Sequence, residues 1–262
     1  MFRLFTTSAA STLLLSTLIL PLAQADVAIT YSDPTNPDQK MLFTVTSNKA
    51  AMNIPGPQEQ SGRMIYDHAL QKLYMVMDDR KQYMDMDAMM QSLGGLSDML
   101  SGMMENMPEE TKGKLGGLLG SLTGNKAAKT EPAAPQLVET GESDKVMGVS
   151  CNIATVNSAG QSTEMCLAAP SAIGISNGDF AIIQGMMAKQ QQSAEQAAKM
   201  LGQSGFGFSP GVLDRVPLRI RQLSGPDAGS YSEIISTSDT ADPANVVIPQ
   251  GYTPVDMSAL GG

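Results

Sequence analysis

The sequence predicts an α+β fold: one strongly curved antiparallel sheet, an open barrel of about eleven strands, covered by helices and carrying a Met/Gly-rich helical insert. Three observations predict it. Short runs of alternating residue types, separated by Asn, Asp, Pro and Gly, occupy most of the chain, as an antiparallel meander requires. Helical patterning interrupts them only over 88–135 and 177–201, too seldom for the regular alternation of a parallel α/β fold. The runs between 64 and 86 are bulky and apolar on both faces, which a sheet with one solvated side does not tolerate.

Residues 1–25 read as a secretory signal peptide, with Arg3 as the charged end, an apolar stretch over 13–22 and Ala23-Gln24-Ala25 as a small-residue cleavage site. Cutting after Ala25 leaves 26–262 as a single curved-sheet domain, expected in the periplasm. Asp26 rather than Cys follows the cut, which argues against a lipid anchor. No later apolar run reaches the roughly 18 residues a transmembrane helix needs. The formal charge is −9, and the signal removes only one basic residue, Arg3. So acidic a product is a poor partner for nucleic acid or an anionic membrane surface.

Strands are expected over 27–31, 41–46 and 50–54, parted by Asp33-Pro34 and Asn36-Pro37 and ended by Pro55-Gly56-Pro57. A three-stranded meander follows over 64–66, 72–77 and 81–86. A four-residue loop over 78–81 sets Met77 opposite Gln82, Met75 opposite Met84 and Leu73 opposite Met86, all on one face. Tyr74, Val76 and Tyr83 take the other. Leu73, Met75, Met77, Met84 and Met86 are therefore the candidate lining of an apolar cavity.

Residues 88–135 show no strand pattern, and about fifty residues far exceeds an ordinary loop. Met89, Met90, Leu93, Leu96, Leu100, Met103, Met104 and Met107 recur at three- and four-residue steps, placing them on one helical stripe behind Asp87 as N-cap. Pro108, Glu109 and Glu110 then open a second helix with Leu115, Leu118, Leu119 and Leu122. Interrupting glycines cost each helix roughly 1 kcal/mol apiece relative to Ala. These helices are expected to form only when docked, the first as a lid, while 124–135 is expected to act as a flexible linker.

Strands resume over 137–140 and 145–156. A turn centred on Ser158-Ala159 pairs Val156 with Gln161 and sets Cys151 opposite Cys166, so a cross-strand disulfide is expected between the two cysteines, in keeping with export. Its loop of about 15 residues implies stabilisation of order 3 kcal/mol. Asn177 or Asp179 can cap a third helix with Phe180, Ile183, Met187, Ala194, Ala198 and Leu201 on one face and Gly202 past its end. Val216, Leu218 and Ile220 alternate in a strand whose Pro217 suggests a start or an edge, and 230–237 reads as its partner.

Several short motifs occur in a suggestive order: Tyr83-Met84-Asp85-Met86-Asp87, Val146-Met147-Gly148-Val149-Ser150-Cys151, Val216-Pro217-Leu218-Arg219-Ile220 and Ile248-Pro249-Gln250-Gly251-Tyr252. Together they resemble the exported bacterial family known as domain of unknown function 4412, over nearly the whole mature chain. By plan that family is similar to the periplasmic lipoprotein carriers of the Lol pathway. The resemblance implies a curved antiparallel sheet wrapped around an apolar cavity closed by helices, and brings no catalytic residues with it.

The residues give catalysis little to work with, and no cofactor is implied. His68, the sole histidine, falls in a turn. Asp85 and Asp87 suit a solvated helix start better than a hard-cation site. Gly205-Phe206-Gly207-Phe208 follows a helix and so is no phosphate cradle. Methionine is the informative excess, at 20 residues with no Trp. Thioethers fill irregular cores, and they also line adaptable apolar sites. The expected function is non-enzymatic binding of an apolar ligand, a lipid or acyl chain, or of a lipidated protein partner. Two other classes remain open: a Cu(I) site drawn from Met84, Met86, Met103 and Met107, and an envelope protein-interaction module.

Overall fold

The computed structural model describes residues 26–54, 62–105, 135–158, 161–200 and 214–256, with side chains left out over 96–105 and 198–200. The expected signal peptide, Met107, the helix around Leu115 to Leu122 and the Gly205-Phe206-Gly207-Phe208 loop lie outside these residues.

Twelve strands form one mixed, unclosed sheet in the order β12-β6-β5-β4-β3-β2-β1-β11-β10-β9-β8-β7. Strands β1 (Val27–Asp33), β2 (Asn36–Thr46), β3 (Lys49–Ile54), β4 (Gly62–Asp67), β5 (Lys72–Met77) and β6 (Gln82–Asp85) lead directly into helix α1 (Met86–Glu105). After it come β7 (Gln136–Val146), β8 (Val149–Ser158), β9 (Gln161–Ala168), a 3-10 turn (Pro170–Ile173) and helix α2 (Asn177–Met200). The chain finishes with β10 (Val216–Ser224), β11 (Tyr231–Ser238), a second 3-10 turn (Pro243–Val246) and β12 (Thr253–Pro254). Neighbours pair antiparallel except β12, which runs parallel to β6.

The meander has the register its hydrophobic pattern requires. Met77 pairs with Gln82 and Met75 with Met84, while Val76 pairs with Tyr83 on the opposite face. Met86 is already the first residue of α1, so the expected pairing with Leu73 ends in a helix start.

Both faces of the sheet are covered, by different means. On one face a continuous core runs from Leu73 on β5 to Cys151 on β8 and includes Phe180, Ile182, Ile183 and Met186 of α2. On the other, Ala51, Ile65 and Val76 pack with Val246, Ile248 and Tyr252 of the C-terminal segment. That segment is held by the Arg63 guanidinium, which grips Asp78 through two bonds of 3.0 and 2.8 Å and donates to the Ala244 carbonyl. The Tyr252 hydroxyl also donates to Asp78, at 2.9 Å.

Three local expectations need correction. The run 145–156 is not one strand, because Met147 (φ 52°) and Gly148 (φ 80°) form a two-residue hairpin turn with Val146 opposite Val149. Positive φ at both central residues matches the right-handed twist of the flanking strands. The disulfide joins Cys151 and Cys166 with Cα atoms 5.3 Å apart, but Ile153 is the residue opposite Cys166. The β8–β9 turn is centred one residue later than Ser158-Ala159, which moves the pairing by two and keeps both cysteines on one face. Pro217 is the second residue of β10 and so lies at a strand start, one of the two places expected of it, and the register with β9 shifts between Pro217 and Arg219. Helix α1 is capped by Asp85 rather than Asp87, since Asp85 Oδ1 accepts from the amides of Asp87 and Ala88.

Met147 is a thioether side chain in a left-handed backbone position that favours Asn or Gly. Met147→Asn is expected to raise stability by about 1 kcal/mol in urea unfolding, and Gly148→Ala to lower it by a similar amount.

Candidate functional site

Helix α2 begins at Ser176, whose Oγ accepts from the Asp179 amide at 3.1 Å and donates to the Asp179 carboxylate at 2.6 Å. Ser176 therefore fills the capping role expected of Asn177 or Asp179, with Asp179 in the third helical position. Two neighbouring stripes of this helix face the protein. One carries Ile182, Gly185 and Lys189; the other carries Phe180, Ile183, Met186, Met187 and Gln190.

The first stripe fixes the helix in place. Gly185 lies so close to β4 that a Cβ built there would stand 2.7 Å from the Tyr66 hydroxyl and 3.1 Å from His68 Nδ1. Tyr66 is fully buried, and burial pushes its phenol above the usual range. His68, in the turn after β4, stacks edge-on against the Tyr66 ring at 5.9 Å. One turn further along α2, Lys189 forms an ion pair of 2.8 Å with Asp87 at the start of α1. Asp85, beside it, is bound by Lys72 at 2.6 Å. Partial burial would raise the Asp85 carboxyl, but the Lys72 bond and the amides of Ala88 and Asp87 outweigh it and hold the group below the usual range.

The second stripe roofs a cavity of about 200 Å³. Its floor is Ile29 and Tyr31 of β1, Met41 and Phe43 of β2 and Met52 of β3, set side by side because Ile29 pairs with Phe43, Tyr31 with Met41 and Phe43 with Met52. Arg215, Val216, Pro217 and Ile220 close one side. Four methionines, Met41, Met52, Met186 and Met187, contribute to a wall in which, among the described residues, Gln190 and Arg215 are the polar ones apart from the Tyr31 hydroxyl. That hydroxyl donates to the Pro217 carbonyl at 3.1 Å, and burial raises its pKa well above the usual value. A second cavity of about 290 Å³ lies under the Met147 turn, lined by Val146, Val149, Ala172, Ile173, Leu218, Ile234 and Thr237. The first is the better site, because two rigid layers wall it and a charged side chain reaches it.

The expected cavity residues share this face of the sheet but not this cavity. Leu73 is buried in the core, while Met75, Met77, Met84 and Met86 are half-buried on β5, β6 and the first turn of α1. Of the lid stripe, Met90 is buried, Met89 half-buried and Leu93 exposed, and α1 packs on β5, β6 and α2. The side chains of Leu96, Leu100, Met103 and Met104 are not described. Sequence reasoning placed Phe180, Ile183 and Met187 on one helix face but missed the floor. Its signal was the period-two spacing Ile29/Tyr31 and Met41/Phe43, which reads as ordinary core. Among the described residues no three His, Cys, Asp or Glu side chains gather as a metal site, and no helix is long and apolar enough to cross a membrane.

No family model matches the chain, and no curated protein matches it. Solved structures that resemble it include two crystal forms of PNGF-II, at TM-scores of 0.42 and 0.41 and identities of 9% and 11%. These matches cover 90% and 91% of this chain and 32% of the other, so the chain spans about a third of the length of those structures.

The close approach at Gly185 yields a paired prediction. Gly185→Ala must push α2 from Tyr66 and is expected to cost about 1–3 kcal/mol. Gly95→Ala in α1, where a Cβ meets nothing within 4 Å, is expected to gain up to about 1 kcal/mol. Equal urea midpoints for the two variants would contradict the seating of α2.

Proposed function

We propose that this is an exported, non-enzymatic protein of the periplasm that holds an apolar chain, either a free lipid acyl chain or the acyl group of a lipidated partner, beneath α2. The observation that carries the proposal is the methionine-walled cavity between α2 and strands β1–β3 and β10. Methionine suits such a wall because its unbranched thioether re-packs around chains of different length and kink. A chain seated there leaves water, which is worth about 0.8 kcal/mol for each methylene fully buried.

Membership of the exported family of domain of unknown function 4412, with a sheet curved in the manner of the Lol-pathway carriers, belongs to the same proposal. It is supported by the continuity of one core from β5 to β8 that takes in Phe180, Ile182, Ile183 and Met186 of α2, since a broad sheet curls to bring distant strands into one core. The half-buried Met75, Met77 and Met84 then act as core filler under α1.

Native mass spectrometry of the protein purified from periplasm, followed by organic extraction, tests this reading. The expected result is a one-to-one complex that releases a fatty acid or acyl-bearing lipid. A protein that is empty as isolated and takes up no long-chain alcohol or acid on incubation would contradict it.

A further inference from the structure

Arg215 sits immediately before β10 and is, among the described residues, the one charged side chain in the wall of the cavity under α2. It is mostly buried, at 23% exposure, and its Nη2 lies 2.6 Å from Glu139 Oε1 on β7, whose own side chain is 51% exposed. Resting on the apolar-chain reading above, we propose that the ligand is a single-chain anionic amphiphile: the chain lies between α2 and the sheet, and the carboxylate or phosphate-monoester head binds Arg215 in exchange for Glu139.

The charge pattern favours this exchange. A guanidinium has five donors in a planar fork that matches carboxylate and phosphate oxygens, and it is always charged. The exchange trades one charge-assisted bond to the guanidinium for another, and Glu139, half-exposed, is rehydrated as it leaves. A head group tethered by a chain already seated in the cavity loses less freedom on pairing than a free anion would. Charge-assisted bonds in a partly dry site are correspondingly stronger. Size restricts the chain count, since about 200 Å³ is below the usual range for drug-sized ligands and encloses only part of one dodecyl chain. The net charge of −9 repels anions at long range, so selectivity has to come from a local cation, and Arg215 is placed to supply it.

The test uses the full mature protein and four probes with the same tail: dodecanoate, dodecyl phosphate, dodecanol and dodecyltrimethylammonium, each titrated by calorimetry. The wild-type protein is expected to bind dodecanoate or dodecyl phosphate at least about tenfold tighter than dodecanol, and the cationic probe most weakly. The tighter anion identifies the head group as carboxylate or phosphate. Arg215→Gln is expected to remove the preference for the anions and to keep the affinity for dodecanol, which also shows that the variant is folded. Glu139→Gln is expected to tighten anion binding up to about fivefold, because one internal competitor for Arg215 is gone. Equal binding of dodecanol and both anions, or an anion preference that survives Arg215→Gln, would overturn the head-group assignment and leave the cavity reading in place. Failure of all four probes to bind would overturn both.

Discussion

The seating of Gly185 on Tyr66 is the contact on which the rest of the structure depends. One broad sheet has an apolar face far wider than any single helix, so the position of α2 decides which part of that face is closely packed and which is not. A missing side chain at Gly185 lets the helix backbone meet the Tyr66 ring directly, and the Lys189–Asp87 pair ties the same stripe to α1. The adjacent stripe ends in long side chains, Met186, Met187 and Gln190, and these stand over β1–β3 with space left between the layers. The cavity thus follows from two neighbouring faces of one helix, one seated through a glycine and the other held off by methionines.

A sheet apolar on both faces must find a second cover, and here the chain supplies it from its own C-terminal segment. After β11 it crosses the outer face of β3–β6, buries Val246 against Ala51, Ile65 and Val76, and adds β12 to the open edge of β6. Arg63 and Tyr252 converge on Asp78, so the turn between β5 and β6 holds its own cover down. Bidentate guanidinium–carboxylate pairing makes this more than an incidental surface contact. The two faces then have separate tasks: the C-terminal cover locks the meander, and the helical side carries the cavity.

Period-two patterning made most strands legible, and for the meander even the register, because shifting by one residue would have exposed Met75 or Val76. Features that depend on one backbone angle were not legible. Met147 has no turn-forming chemistry, so the hairpin at Met147-Gly148 was hidden inside what reads as a continuous strand. A turn centre displaced by one residue left the disulfide pairing correct but its register wrong. Caps were displaced for a related reason: Asp85, Asp87, Ser176 and Asp179 are all competent acceptors, and only the helix start selects among them. Methionine density points to β5, β6 and α1, whereas the cavity under α2 lies over β1–β3. What makes a cavity is spacing between layers, and that depends on Gly185, a residue with no side chain to advertise it.

The most direct test of the central claim is a methyl NMR titration of protein carrying carbon-13 at the methionine methyl groups, with dodecanol as the added chain. The resonances of Met41, Met52, Met186 and Met187 should shift together with a single affinity, while those of Met75, Met77 and Met84 stay in place. Shifts confined to the meander methionines, or no shift at any methionine, would contradict the account.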